Sequence, residues 1–313
     1  MAVALLHQAP DAIRGLALLE LLAGDEPFVP PVEFDFDGCR LDSLPDDFDR
    51  FPDITVLSLY GNDLVELPES AWRLSQLRVL NLAGNRFVEL PEELGRLTAL
   101  EMLDLGQNQL DALPDAFAGL RSLRYLYASN NRLEVLPPST AELEALRYLN
   151  VSDNHLTGLP EWLGELSSLV ELRAYNNGLT ELPESVGALG RLRELHLHHN
   201  FLAALPESIA GLDELRVLDV RANGLRELPD AIGALSRLTA LDLRSNQLRE
   251  LPGSVTNLRS LRTLDLRANQ LTTLPEGLGE LPNLERLDLR WNRLTEFPGW
   301  LGALEERGCL VYV

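Results

Sequence analysis

One residue type constrains this chain more than any other. Asparagine stands at 62, 85, 108, 131, 154, 177, 200, 223, 246, 269 and 292, a step of 23 that never slips. Proline keeps the same step from Pro68 to Pro298. Eleven in-phase units without an insertion predict a solenoid, in which each repeat buries its apolar side only against its neighbours. The unit at 77–99 reads LRVLNLAGNRFVELPEELGRLTA. Leu80 and Leu82 are two apart and so share one face of a short strand; stacked units pair such strands in parallel, about 4.8 Å apart. The asparagine has amide donors and a carbonyl acceptor for backbone groups where the chain leaves the strand, and a ladder of them links turn to turn. Proline then opens a short helix or extended turn on the opposite side, with Leu94 and Leu97 inward and Gly95 at a tight turn.

The ends depart from the pattern. Phe34 and Phe36 take the leucine slots of a degenerate first unit, and Cys39 takes its asparagine slot. Leu310 and Tyr312 mark a last strand. Residues 1–30 read as an N-terminal helical cap, with Pro10 and Asp11 at a helix start and Gly24 at an end. The solenoid then covers 31–313, about 12 repeats plus the terminal strand.

The segment L-x-x-L-x-L-x-x-N-x-L, continued by L-P-x-x-L-G-x-L, resembles the leucine-rich repeat family, and within it the intracellular Ras-group class and bacterial leucine-rich repeat proteins. The resemblance implies an α/β fold: a curved solenoid with parallel strands on its concave face and short helices or turns on its convex face. It also implies a non-catalytic scaffold for protein–protein interaction, with a small GTPase or another signalling protein as partner. Similar repeats in host-directed effectors imply an alternative, a bacterial effector or adaptor acting in a eukaryotic host cell.

Charge narrows the partners. The net charge of −21 repels phosphate backbones and anionic bilayers, so neither nucleic acid nor a membrane is expected. All basic residues are arginine, as a GC-rich genome that favours arginine codons would give; the alternative, a lysine-free surface that escapes ubiquitin, fits the host-cell reading. The apolar start has no basic residue ahead of it and is interrupted by Asp11, Arg14 and Glu20, so no cleaved signal is read. Two distant cysteines build no disulfide framework. A cytoplasmic protein is expected, or one exported into a host cell without a cleaved signal.

Recognition must reside in the outward strand residues, because the leucine, asparagine and proline slots are scaffold. The expected partner-binding residues are Tyr125, Tyr127, Tyr148, Asn150, Glu171, Arg173, Tyr175, Glu194, His196, His198 and Arg221. Tyrosine and arginine are enriched in interface hot spots, and histidine adds a pH response near neutrality. Toward the C-terminus, Asp219, Asp242, Asp265 and Asp288 run beside Arg221, Arg244, Arg267 and Arg290, which reads as a mesh that satisfies itself or, alternatively, as a charged dock that steers a partner's association. No nucleophile–base pair or phosphate loop is found, so no enzyme and no cofactor are expected. An alternative is a metal-dependent enzyme at Glu194, His196 and His198, which alternate on one strand.

Overall fold

The computed structural model describes residues 32–313; the cap expected over 1–30 lies outside them. The chain divides into two compact units, one ending at Asn154 and the other starting at His155. The first holds strands β1 (Glu33–Asp35), β2 (Val56–Ser58), β3 (Val79–Asn81), β4 (Met102–Asp104), β5 (Tyr125–Tyr127) and β6 (Tyr148–Asn150). The second holds β7 (Glu171–Arg173), β8 (Glu194–His196), β9 (Val217–Asp219), β10 (Ala240–Asp242), β11 (Thr263–Asp265), β12 (Arg286–Asp288) and β13 (Leu310–Tyr312). Within each unit successive strands pair in parallel, leucine beside leucine, as Leu80 beside Leu103 and Leu241 beside Leu264.

Each strand is brief because the chain must turn at once. The expected helix-or-turn segments are 3-10 helices such as Glu92–Arg96, entered from an extended proline, here Pro91, except at Phe48–Arg50 and Phe117–Gly119, which follow Asp47 and Ala116. The one α-helix among the described residues is α1 (Trp300–Glu306). No helix among them is long and apolar enough to cross a membrane. Gly95 serves close approach rather than a turn: a Cβ there would stand 2.6 Å from the Ala116 carbonyl of the next coil.

The asparagine ladder is built as its donor inventory demands. Asn108 donates from Nδ2 to the Leu82 carbonyl of the preceding coil (2.9 Å) and to the Leu105 carbonyl of its own (3.1 Å), while its Oδ1 accepts the Phe87 amide (3.1 Å). Asn246 repeats this with Val220, Leu243 and the Leu225 amide at 3.0, 2.9 and 3.1 Å. Both asparagines are buried, so each bond relieves a backbone group that water cannot reach.

The residue before each asparagine carries a constraint that its identity conceals. Gly61 and Gly84 are left-handed there, but so are Gln107, Asn130, Asp153, Asn176, His199, Ala222, Ser245, Ala268 and Trp291. Asparagine and aspartate tolerate this conformation, but the repeated strand exit also imposes it on Gln107, Ala222, Ser245, Ala268 and Trp291, at about 1–2 kcal/mol each. Phe34, Phe36 and Cys39 are buried as the degenerate unit requires. The last strand is shifted by one residue from the simplest reading. Val311 lies beside Leu287 and takes the inward slot, while Leu310 and Tyr312 lie beside outward-facing Arg286 and Asp288.

Candidate functional site

In the N-terminal unit, register places Tyr125 beside Tyr148 and Tyr127 beside Asn150. Only Tyr125 is well exposed, at 40%. Tyr127 and Tyr148 are half-buried and pack diagonally, ring centroids 4.8 Å apart. Tyr127 and Tyr148 therefore make one packed aromatic pair rather than separate projecting rings. Asn150 is buried, and its Oδ1 accepts the Ser152 amide at 3.1 Å. Its expected role as a partner contact gives way to a backbone role, shared with Asn81 and Asp104, which bond the amides of Ala83 and Gly106. Burial pushes the Asp104 carboxyl above its usual range, against the lowering effect of the Gly106 amide.

In the C-terminal unit the expected residues fall into three groups. Arg173 Nε donates to Glu171 Oε1 at 2.5 Å. His196 Nε2 and Glu194 Oε2 are 3.0 Å apart. Register sets Glu171 beside Glu194 and Arg173 beside His196. His198 stacks on Tyr175, ring centroids 4.2 Å apart and nearly parallel. Its Nδ1 is 3.0 Å from Asp219 Oδ2, but the angle does not make a hydrogen bond and the nitrogen is buried without a partner. Burial lowers the His198 pKa to about 4; the Asp219 carboxylate opposes this, and Arg221, His199 and His196 add to it. His198 is thus neutral at pH 7, and the pH response expected near neutrality does not reside on it. The same-strand set of Glu194, His196 and His198 does not converge, because His198 turns toward Tyr175 and Asp219.

Arg221 begins the charged mesh, with Nη1 3.3 Å from Asp219 Oδ2 and 3.7 Å from Asp242 Oδ2. Arg267 grips Asp265 through Nε and Nη2 and also lies 3.4 Å from Asp288 Oδ2. The mesh is self-satisfied as expected. It leaves Asp242 least well served, with Arg221 and Arg244 both 3.7 Å away, and burial raises its pKa. The most exposed aromatics outside the expected set, among the described residues, are Phe201 and Trp291, at 70% and 72%; Tyr60 and Phe297 are exposed too. Arg290 lies over the rings of both Trp291 and Tyr312. Only the one-residue shift of β13 brings Tyr312 there, and the repeat frame carries no signal for it.

A family model described as leucine-rich repeat matches residues 75–133, 129–179, 190–248 and 236–294. No curated protein sequence matches the chain. Among solved structures, a leucine-rich repeat protein of Leptospira interrogans aligns with a TM-score of 0.85 and 34% identity over 90% of this chain and 72% of its own. The ectodomain of the Arabidopsis thaliana receptor kinase GASSHO1/SCHENGEN3, in complex with Casparian strip integrity factor 2, aligns with a TM-score of 0.71 and 33% identity. That alignment covers 86% of this chain and 36% of the ectodomain. The Arabidopsis receptor kinase HAESA, in complex with the peptide hormone IDA and the co-receptor SERK1, aligns with a TM-score of 0.60 and 26% identity, covering 84% and 58%. With the repeat frame, the asparagine ladder and the family model in agreement, the chain belongs to the leucine-rich repeat family.

Proposed function

We propose that this protein is a non-catalytic scaffold that holds a protein partner on the outward face of its strands. One observation carries the reading. The core slots repeat with little change, while the outward slots depart from each other most around the tyrosines of β5 and β6. Tyr125, Tyr127 and Tyr148 present rigid aromatic area with hydroxyl groups, the composition of interface hot spots. Arg173, Tyr175, His198 and Arg221 add polar and aromatic contacts in the C-terminal unit. The complexes of the two Arabidopsis relatives with peptide or protein ligands support binding as the use of this scaffold. The partner class is a protein, with a small GTPase or other signalling protein as the first candidate. The place of action is the cytoplasm, supported by two buried free cysteines.

Affinity capture from source-cell lysate, with identification of the bound proteins, tests this. Wild type is compared with Tyr125→Ala/Tyr148→Ala and with Arg173→Glu/Arg221→Glu, each checked for intact folding. A protein held by wild type and lost by a folded variant is the expected result. A protein held equally by all three places the site elsewhere and overturns the reading. The absence of lysine favours a second reading, an adaptor working inside a host cell. It predicts that lysines added on the exposed side of the coils shorten the chain's lifetime in a ubiquitinating extract; an unchanged lifetime contradicts it.

A further inference from the structure

We propose that Glu171, Glu194 and His196 form a binding site for a divalent transition metal of the zinc class. The three side chains come from two neighbouring strands of the C-terminal unit. Glu171 and Glu194 are register partners on β7 and β8, and His196 follows Glu194 by two residues, so all three leave the same face. Their ligand atoms lie within 4.8 Å of one another. The set differs from the same-strand trio that alternation suggests: Glu171 replaces His198, whose ring is held by Tyr175.

The distances suit a metal. Glu194 Oε2 and His196 Nε2 are 3.0 Å apart. Two ligands each about 2.1 Å from a tetrahedral zinc stand about 3.4 Å apart, so this hydrogen-bonded pair opens by about 0.4 Å and gives up its shared proton to admit the metal. Glu171 is partly exposed, and its carboxylate, within 4.8 Å of the other two ligand atoms, stands on the third side. One imidazole with two carboxylates is a donor set that zinc accepts, and three protein ligands leave a coordination position open.

The charges give the arrangement a reason. Two glutamates side by side on adjacent strands repel each other. Arg173 offsets this only in part, because its Nε engages Oε1 of Glu171 and leaves the second oxygen for a metal. A carboxylate ligand fixed from behind by a hydrogen-bond donor is the usual outer support of a metal site. The arginine's own charge opposes a cation, so the site binds less tightly than its donor count alone would give.

The test uses the full chain, free of any histidine tag and treated with chelator. Zinc chloride is titrated calorimetrically, and cobalt(II) is added separately to read its visible absorption. The expected result is one zinc per chain, a rise in Tm on adding zinc, and cobalt bands that zinc abolishes. Glu194→Gln and His196→Gln weaken binding at least about tenfold and lose the Tm rise. His155→Ala and His199→Ala, which remove exposed histidines outside the set, leave both unchanged. Circular dichroism confirms that the variants fold, and Glu171→Gln supplies a third arm if either one does not. No stoichiometric binding, binding that survives the glutamine variants, or binding lost with His155 or His199 overturns the proposal.

Discussion

Asp104 and Asp288 hold the same slot of their coils, eight repeats apart, one in each compact unit. Both accept the amide two residues on, from Gly106 at 2.9 Å and from Arg290 at 3.4 Å. There the likeness ends. Asp104 has no salt bridge among the described residues, and burial raises its pKa. Asp288 is fully shielded from solvent, yet Arg267, Arg286 and Arg290 approach it to 3.4, 3.6 and 2.6 Å. Burial works to raise the Asp288 pKa, but the hydrogen bonds from Arg290 and the charges of Arg267 and Arg290 outweigh it and hold the carboxyl below its usual range. The frame supplies one backbone bond to each aspartate. The outward neighbours decide whether the buried charge is a cost or an anchor.

The frame should be indifferent to this contrast, and the largest expected effect tests that. Asn108→Ala and Asn246→Ala, one in each unit, each remove four bonds to backbone groups. Each substitution is expected to destabilise its unit by about 2–4 kcal/mol, read from urea unfolding. Clearly unequal losses would show that the coils are not equivalent beneath their surfaces. A smaller effect is expected at the strand exit. Ala268 is left-handed at φ 53, so Ala268→Gly should stabilise by about 0.5–1 kcal/mol despite the flexibility that glycine adds. The smallest concerns the outward aromatic pair: a double-mutant cycle of Tyr127→Ala and Tyr148→Ala should give a coupling of about 0.5–1 kcal/mol. Zero coupling would mean that the rings act independently.

The repeat frame was legible because it rests on spacing alone. A 23-residue step with leucine two residues from leucine dictates strand, face and stack. The left-handed slot was not legible, because the stacked backbone enforces it on glutamine, alanine, serine and tryptophan alike. The outward face was legible only as a list of residues. Alternation puts His196 and His198 on one face, but it does not show that Tyr175 captures His198 and leaves His196 with the glutamates. Nor does it show that Asn150 turns back to its own backbone, or that Tyr127 and Tyr148 are half-covered by their neighbours. Side-chain partners come from the adjacent coil and depend on rotamer choice, which no periodicity encodes.

The most direct test compares Asp104→Asn with Asp288→Asn, measuring stability across pH. Asparagine keeps the acceptor for the backbone amide and removes only the charge. A raised folded-state pKa means that ionised Asp104 costs stability, fully so above that pKa. Asp104→Asn should therefore be more stable than wild type at pH 7, with an advantage that fades as the pH falls toward 3.8. A lowered folded-state pKa means that ionised Asp288 contributes stability that is present above 3.8 and lost as the pH falls through its folded-state pKa. Asp288→Asn should be less stable at pH 7, by about 1–3 kcal/mol given that its arginine partners are partly solvated, and the deficit should shrink in acid. Opposite signs at neutral pH, converging in acid, are the predicted result. A shared sign for the two variants would contradict the claim that outward neighbours, rather than the frame, set the character of each coil.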